Sequence, residues 1–306
     1  MLFAGSRDRT LRILEDRLKT LLPLEYQESY SQVEPVSMGS AGLKYDRHGK
    51  VAWDEIWGSF CDLAMAGGPP HKGTLLQPGC AADIQQQPVH YKDVVDEICR
   101  GIRMVTELAV NPSENPGWVQ VGCDTDTMAA WLVRAIVMEN VSAWREDSVL
   151  ELPAGPHYRL EKEIKNVITV IAKTCHYFAD HLRSGQQRAI SALFREMDAE
   201  SPLVLPAAAG HGFDADQHDA LRDEIAGAIE QSTGLRGAGR PYDGWLGIAC
   251  PSVRTAISMM RLLSTVNVLS RREDTTLYVP VNPAADTSGE IVTRAVAGIY
   301  RLLEPS

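Results

Sequence analysis

The chain carries part of itself twice. Shifted by 127 residues, Trp118-Val-Gln-Val-Gly-Cys123 falls on Trp245-Leu-Gly-Ile-Ala-Cys250. Continuing without a gap, Arg134 meets Arg261, Asn140-Val141 meets Asn267-Val268, and Arg145-Glu146-Asp147 meets Arg272-Glu273-Asp274. Pro153 and Pro156 then meet Pro280 and Pro283, and Glu163-Ile164 meets Glu290-Ile291. Residues 118–171 hold 14 identities in 54 positions, where chance pairing at ordinary composition gives about three. Whatever unit one copy forms, the other is expected to form again. A fainter, gapped third copy sets Ala52-Trp53 on Ala130-Trp131, Gly73–Pro78 on Ser148–Pro153, and Glu97-Ile98 on Glu163-Ile164.

Each clear copy has the same pattern. Residues 118–122 and 245–249 are short apolar runs that suit buried strands, and residues 125–144 and 252–271 have helical periodicity. Val149–Leu152 and Thr276–Val279 read as strands, each stopped by a proline, and a second amphipathic helix follows. The unit is β-α-β-α. Tandem units of this order predict an α/β fold, with two clear repeats and a third, in one compact pseudo-symmetric assembly. The expected boundaries are 1–116 for an N-terminal helix and a divergent first repeat, and 117–200 for the second repeat. Residues 201–243 are expected as a polar helical connector and 244–306 as the third repeat.

Charge and cysteine usage restrict the partners. With 40 acidic against 30 basic residues and a net charge of −10, the chain lacks the basic surplus that a nucleic-acid backbone calls for. No apolar run approaches the about 18 residues that span a bilayer. Arg7 interrupts the N-terminus before a signal h-region could form. The six cysteines form no CxxC pair, which suits reduced cytosolic thiols. The expectation is a cytoplasmic homo-oligomer with neither nucleic-acid nor membrane partner.

Within the repeat, Cys123 and Cys250 hold equivalent places between a strand end and a helix start, where open α/β sheets place ligand crevices. A helix N-terminus lowers a thiol pKa. Pro251 at the first helical position and Arg254 one turn on favour Cys250 as the thiolate, whereas Asp124 and Asp126 oppose it at Cys123. Two facing thiols would suit a two-base reaction. Arg134 and Arg261 fall eleven residues after their cysteines, placed either to bind an anion or to pair with Glu163 and Glu290. Asn140 and Asn267 are read as further substrate contacts, with helix capping as the plainer alternative. Gly67-Gly-Pro-Pro-His71-Lys72-Gly73 offers backbone amides, a histidine and a lysine as an anion cradle or acid–base site.

No metal site is assigned. His176 and Asp180 share a helix face beside His181, but no second ligand pair stands at diagnostic spacing. No GxGxxG follows a strand and no lysine is singled out for a Schiff base, so no cofactor is assigned. The leading expectation is therefore a cofactor-independent enzyme acting on a small anionic metabolite between the repeats. Cys250, Cys123 and His71 would be catalytic, in racemase or isomerase chemistry, while Arg134, Arg261, Lys72, Asn140 and Asn267 bind substrate. A thiol-dependent hydrolase or ring-opening enzyme, using Ser37 or Ser40 beside the thiols, is one alternative. A non-catalytic ligand-binding or assembly protein is the other.

Overall fold

The computed structural model describes residues 3, 6–30, 42–56, 62–208, 210–211 and 214–304. In chain order its helices are α1 (Arg7–Leu21), α2 (Leu24–Gln27), α3 (Ala81–Gln86), α4 (Pro88–Thr106), α5 (Asp126–Met138), α6 (Lys165–His176), α7 (Ser184–Glu200), α8 (Ala215–Thr233), α9 (Val253–Ser264) and α10 (Glu290–Leu303). The strands are β1 (Ala109–Pro112), β2 (Trp118–Gly122), β3 (Trp144–Glu146), β4 (Val149–Pro153), β5 (Trp245–Ala249), β6 (Arg271–Glu273) and β7 (Thr276–Pro280). Two compact units result. The central unit is residues 33–183, and the bipartite unit joins residues 1–32 to 184–306.

In the central unit the strands form an antiparallel sheet in the order β1-β2-β4-β3, with Trp118 opposite Pro153 and Gly122 opposite Val149. Helix α5 begins where Thr125 accepts a hydrogen bond from Met128 N–H at 3.1 Å, a side-chain cap for an otherwise orphan amide. Its Met128–Met138 stretch is buried throughout, and it packs on α6 and β4. Helix α4 opens on Pro88 and turns Val94, Val95, Ile98 and Ile102 inward against α6 and β1.

The bipartite unit has a three-stranded antiparallel sheet, β5-β7-β6. Ser252 caps α9 through Thr255 N–H at 3.1 Å, and α10 packs on α8 and α9. The N-terminal α1 packs on α7 and α9, burying Leu14, Leu18 and Leu21. Its Arg17, only 6% exposed, reaches Glu196 and Glu200 at 2.7 Å each.

Backbone hydrogen bonds recur between the units at the same offset as the sequence identities. Cys123 N–H donates to Ser148 O at 2.9 Å, and Cys250 N–H to Thr275 O at 3.0 Å. Ala154 N–H donates to Gly117 O, and Val281 N–H to Gly244 O. Four left-handed positions also match: Glu107 with Gly234, Gly117 with Gly244, Asn140 with Asn267, and Asp147 with Asp274. Helix α8 begins and ends 127 residues after α4.

Three sequence expectations change. The sheets are antiparallel, because the chain leaves α5 for an edge strand and turns back through Asp147-Ser148 to lie against β2. The crevice rule for parallel sheets therefore does not apply at Cys123 or Cys250. Residues 201–243, expected as a polar helical connector, contain α8, which lies at the 127-residue offset from α4. Residues 42–87 do not form a β-α-β-α unit among the described residues: Trp53 lies in a 3-10 turn and Gly73–Pro78 in extended chain with one bridge, from Leu76 to Val141. No helix among the described residues is long and apolar enough to cross a membrane.

Candidate functional site

The two equivalent cysteines end their strands two residues before a helix cap, at Thr125 and Ser252. Pro251 thus precedes the cap instead of opening the helix, and Thr255 N–H bonds to Ser252 Oγ at 3.1 Å. Burial decides the electrostatics. Desolvation, with Asp124 adding to it, raises the Cys123 thiol to about 12, and desolvation raises Cys250 to about 11. Cys250 Sγ rests 4.0 Å from Met259 Sδ in a buried setting. The thiolate expected at Cys250 is therefore replaced by a neutral, packed thiol. Each cysteine belongs to a different unit. Ser37 and Ser40 lie outside the described residues.

The paired arginines are interior residues. Arg134 is 1% exposed, with Nη1 donating to Ala130 O one turn back at 2.6 Å. Arg261 is 4% exposed and donates to Tyr30 O at 2.6 Å. Desolvation, with the Arg272 charge nearby, lowers its pKa to about 10. The glutamates expected as their partners are engaged elsewhere: Glu163 with Arg159 and Lys72, Glu290 with Arg294. Asn140 and Asn267 are fully buried and left-handed, at φ 58° and 59°. Asparagine tolerates that conformation better than most residues. Asn140 Nδ2 donates to Lys72 O at 2.9 Å; Asn267 Nδ2 donates to Ser201 O and Asp198 Oδ1, both at 2.8 Å. These groups tie preceding chain to a helix end, which accounts for asparagine without a substrate.

The glycine- and proline-rich loop does cradle an anion, and the anion is the protein's own. Glu139, with no exposed surface, accepts Ala64 N–H at Oε1 and His71 N–H at Oε2, both at 3.0 Å. Lys173, equally interior, lies 2.6 Å from Oε1. His71 is held neutral: burial, then the Lys173 and Lys165 charges, push its pKa well below the ordinary value. Its Nε2 is buried without a hydrogen-bond partner among the described residues. Lys72, the next residue, points to Glu163 at 3.9 Å. His71, Lys72 and Asn140 thus lie together with Glu139 and Lys173. A signal for these two existed: Glu139 and Lys173 are charged residues inside otherwise apolar helical periodicity.

An open cleft of the central unit lies elsewhere. Of about 660 Å³, it is lined by Tyr45, Lys50, His90, Asp93, Asp96, Glu97, Arg100 and Tyr158, among others. Arg100 is held by Glu97 at 2.6 Å and by Val51 O at 2.9 Å, while Tyr158 donates to Gln77 O at 2.6 Å. The Lys50 ammonium and the His90 ring are exposed and make no hydrogen bond or ion pair among the described residues. The bipartite unit has a smaller cavity, about 280 Å³, lined by Phe3, Met197, Arg294 and neighbours. Set beside known proteins, the chain matches no family model, and neither a curated protein nor a solved structure is similar to it.

Proposed function

We propose that this protein is a duplicated α/β protein that binds a small anionic metabolite in the cleft of its central unit without transforming it. The observation that carries this reading is the cleft itself. At about 660 Å³ it falls within the range of small-molecule sites, about 300–1,000 Å³, and Lys50 offers it an ammonium and His90 an imidazole, neither engaged by the described fold. The repeated hydrogen bonds at an offset of 127 support a duplicated unit, one copy in each compact unit. The binding reading is preferred to thiol acid–base chemistry because a proton relay at neutral pH needs a thiol poised near that pH, and both thiols are raised away from it.

Thermal shift against a panel of small carboxylates and phosphates tests the proposal. A ligand at about 100 times its Kd adds about 2.7 kcal/mol of stability, and the response should weaken at least tenfold when Lys50→Ala is combined with His90→Ala. A panel in which no anion moves the Tm, or in which the double variant responds like the parent, removes the basis for this site. Alkylation with iodoacetamide near pH 8 separates the catalytic alternative. Exposed Cys80 should label and Cys123 and Cys250 should not; labelling of Cys250 ahead of Cys80 would restore the thiol-enzyme reading.

A further inference from the structure

Helix α6 does not end as an α-helix. From Tyr177 to His181 it widens into a π turn, in which Leu182 N–H donates to Tyr177 O at 3.1 Å. In an α-helix, residues five apart stand about 140° apart around the axis. The π turn narrows that angle, and His176 and His181 meet with their rings 4.8 Å apart at 74°. Such turns are frequent at functional sites, and another, Leu160–Ile164, leads into the same helix.

The polar atoms of the two rings are brought together. His176 Nδ1 lies 2.7 Å from Asp180 Oδ2, and a carboxylate accepts, so this nitrogen carries the proton. Its Nε2 therefore accepts a hydrogen bond from His181 Nε2–H at 3.1 Å, a shared proton that an ion would replace. Two nitrogens at that separation, each about 2.0–2.1 Å from a shared ion, subtend about 100° there. That angle lies between the cis position of a square or octahedral ion and a tetrahedral pair. A carboxylate bound to the remote nitrogen of a metal-ligating histidine is the usual way such a ring is oriented and made more basic. His176 is 33% exposed, so an ion can reach it from solvent. At the corresponding position of the other copy stands Leu303.

The geometry points to a bidentate site for a divalent late first-row transition ion, Zn²⁺, Cu²⁺ or Ni²⁺, with His176 and His181 as ligands through Nε2. Asp180 positions the His176 ring. Among the described residues no set of three histidine, cysteine or carboxylate ligands converges, so water completes the coordination. Imidazole pairs favour these ions over Mg²⁺ or Ca²⁺.

The test is a Zn²⁺ and Cu²⁺ titration of the whole protein, in competition with a chromophoric chelator, alongside Cu²⁺ paramagnetic resonance. The expected result is a tightest site of one ion per chain with two-nitrogen coupling in the spectrum. His176→Ala and His181→Ala should each weaken it at least tenfold, Asp180→Asn about 10–100-fold, and His48→Ala not at all. Circular dichroism checks that the variants fold. A double His176→Ala, His181→Ala variant that binds as tightly as the parent overturns the site. So does a parent spectrum without nitrogen coupling, which needs no variant.

Discussion

Position 139 of the central unit and position 266 of the bipartite unit are equivalent by offset, as are 173 and 300. The first pair is Glu139 and Lys173, an ion pair with almost no exposed surface. The second is Val266 and Tyr300, both half-buried. One backbone arrangement thus accepts either a buried charge pair or two residues without charge. The pair in the central unit fastens the Ala64–His71 loop through two amides. In the bipartite unit, α7 and its end precede the corresponding position, and Asn267 makes the attachment to Asp198 and Ser201.

The sharpest way to break this comparison is Lys173→Ala. It leaves the Glu139 carboxylate buried without its cation and should cost about 3–5 kcal/mol in urea unfolding. Installing the other copy's residues, Glu139→Val with Lys173→Tyr, should recover part of that loss. About 1–3 kcal/mol should remain because the Ala64 and His71 amides lose their acceptor. If the double variant is no better than Lys173→Ala, the units are not interchangeable at this position.

Asn140→Ala and Asn267→Ala come next, each expected to destabilise by about 1–3 kcal/mol through the lost amide bonds and the left-handed backbone. Asn267, with two acceptors, should lose more; an equal loss at both would assign the effect to the backbone alone. The thiols give a smaller, pH-dependent effect. Their folded pKa values of about 12 and 11 stand above the ordinary 9.0, so the fold favours the neutral form. That stabilisation is complete below about pH 9 and declines as pH rises through the folded values, by about 1 kcal/mol per thiol near pH 10. Urea midpoints across this range, compared with Cys123→Ala and Cys250→Ala, would show it. Smallest of all, Asp147→Gly and Asp274→Gly at the left-handed hairpin tips should change stability by no more than about 0.5–1 kcal/mol, alike in both copies.

The recurrence was legible in the sequence where a backbone conformation demands a residue type. Asn140 and Asn267, Asp147 and Asp274, and the strand-stopping Pro153 and Pro280 are such places. It was illegible over α4 and α8, where many side chains suit a helix and few identities survive. The survivors there are telling. Asp96-Glu97-Ile98, Ile102 and Thr106 match Asp223-Glu224-Ile225, Ile229 and Thr233. Thr106 and Thr233 each accept the amide of a leucine two residues on, at 3.3 and 3.1 Å. Glu97-Ile98 therefore answers to Glu224-Ile225, and the pairing with Glu163-Ile164 rested on two common residues. At the candidate site, sequence spacing drew attention to Cys123 and Cys250 because they recur, and both are buried. His176, Asp180 and His181 recur nowhere, and their convergence depends on a π turn that a period of 3.6 cannot anticipate.

The bipartite unit has a consequence for the order in which the chain can be completed during synthesis. Arg17 on α1 finds Glu196 and Glu200 some 179 and 183 residues later. At about 5–20 residues per second, the ribosome delivers those partners roughly 10–40 s after α1 has emerged. All of the residues of the central unit after position 33 are made in that interval. Throughout it, Leu14, Leu18 and Leu21 must wait for α7 and α9 to cover them.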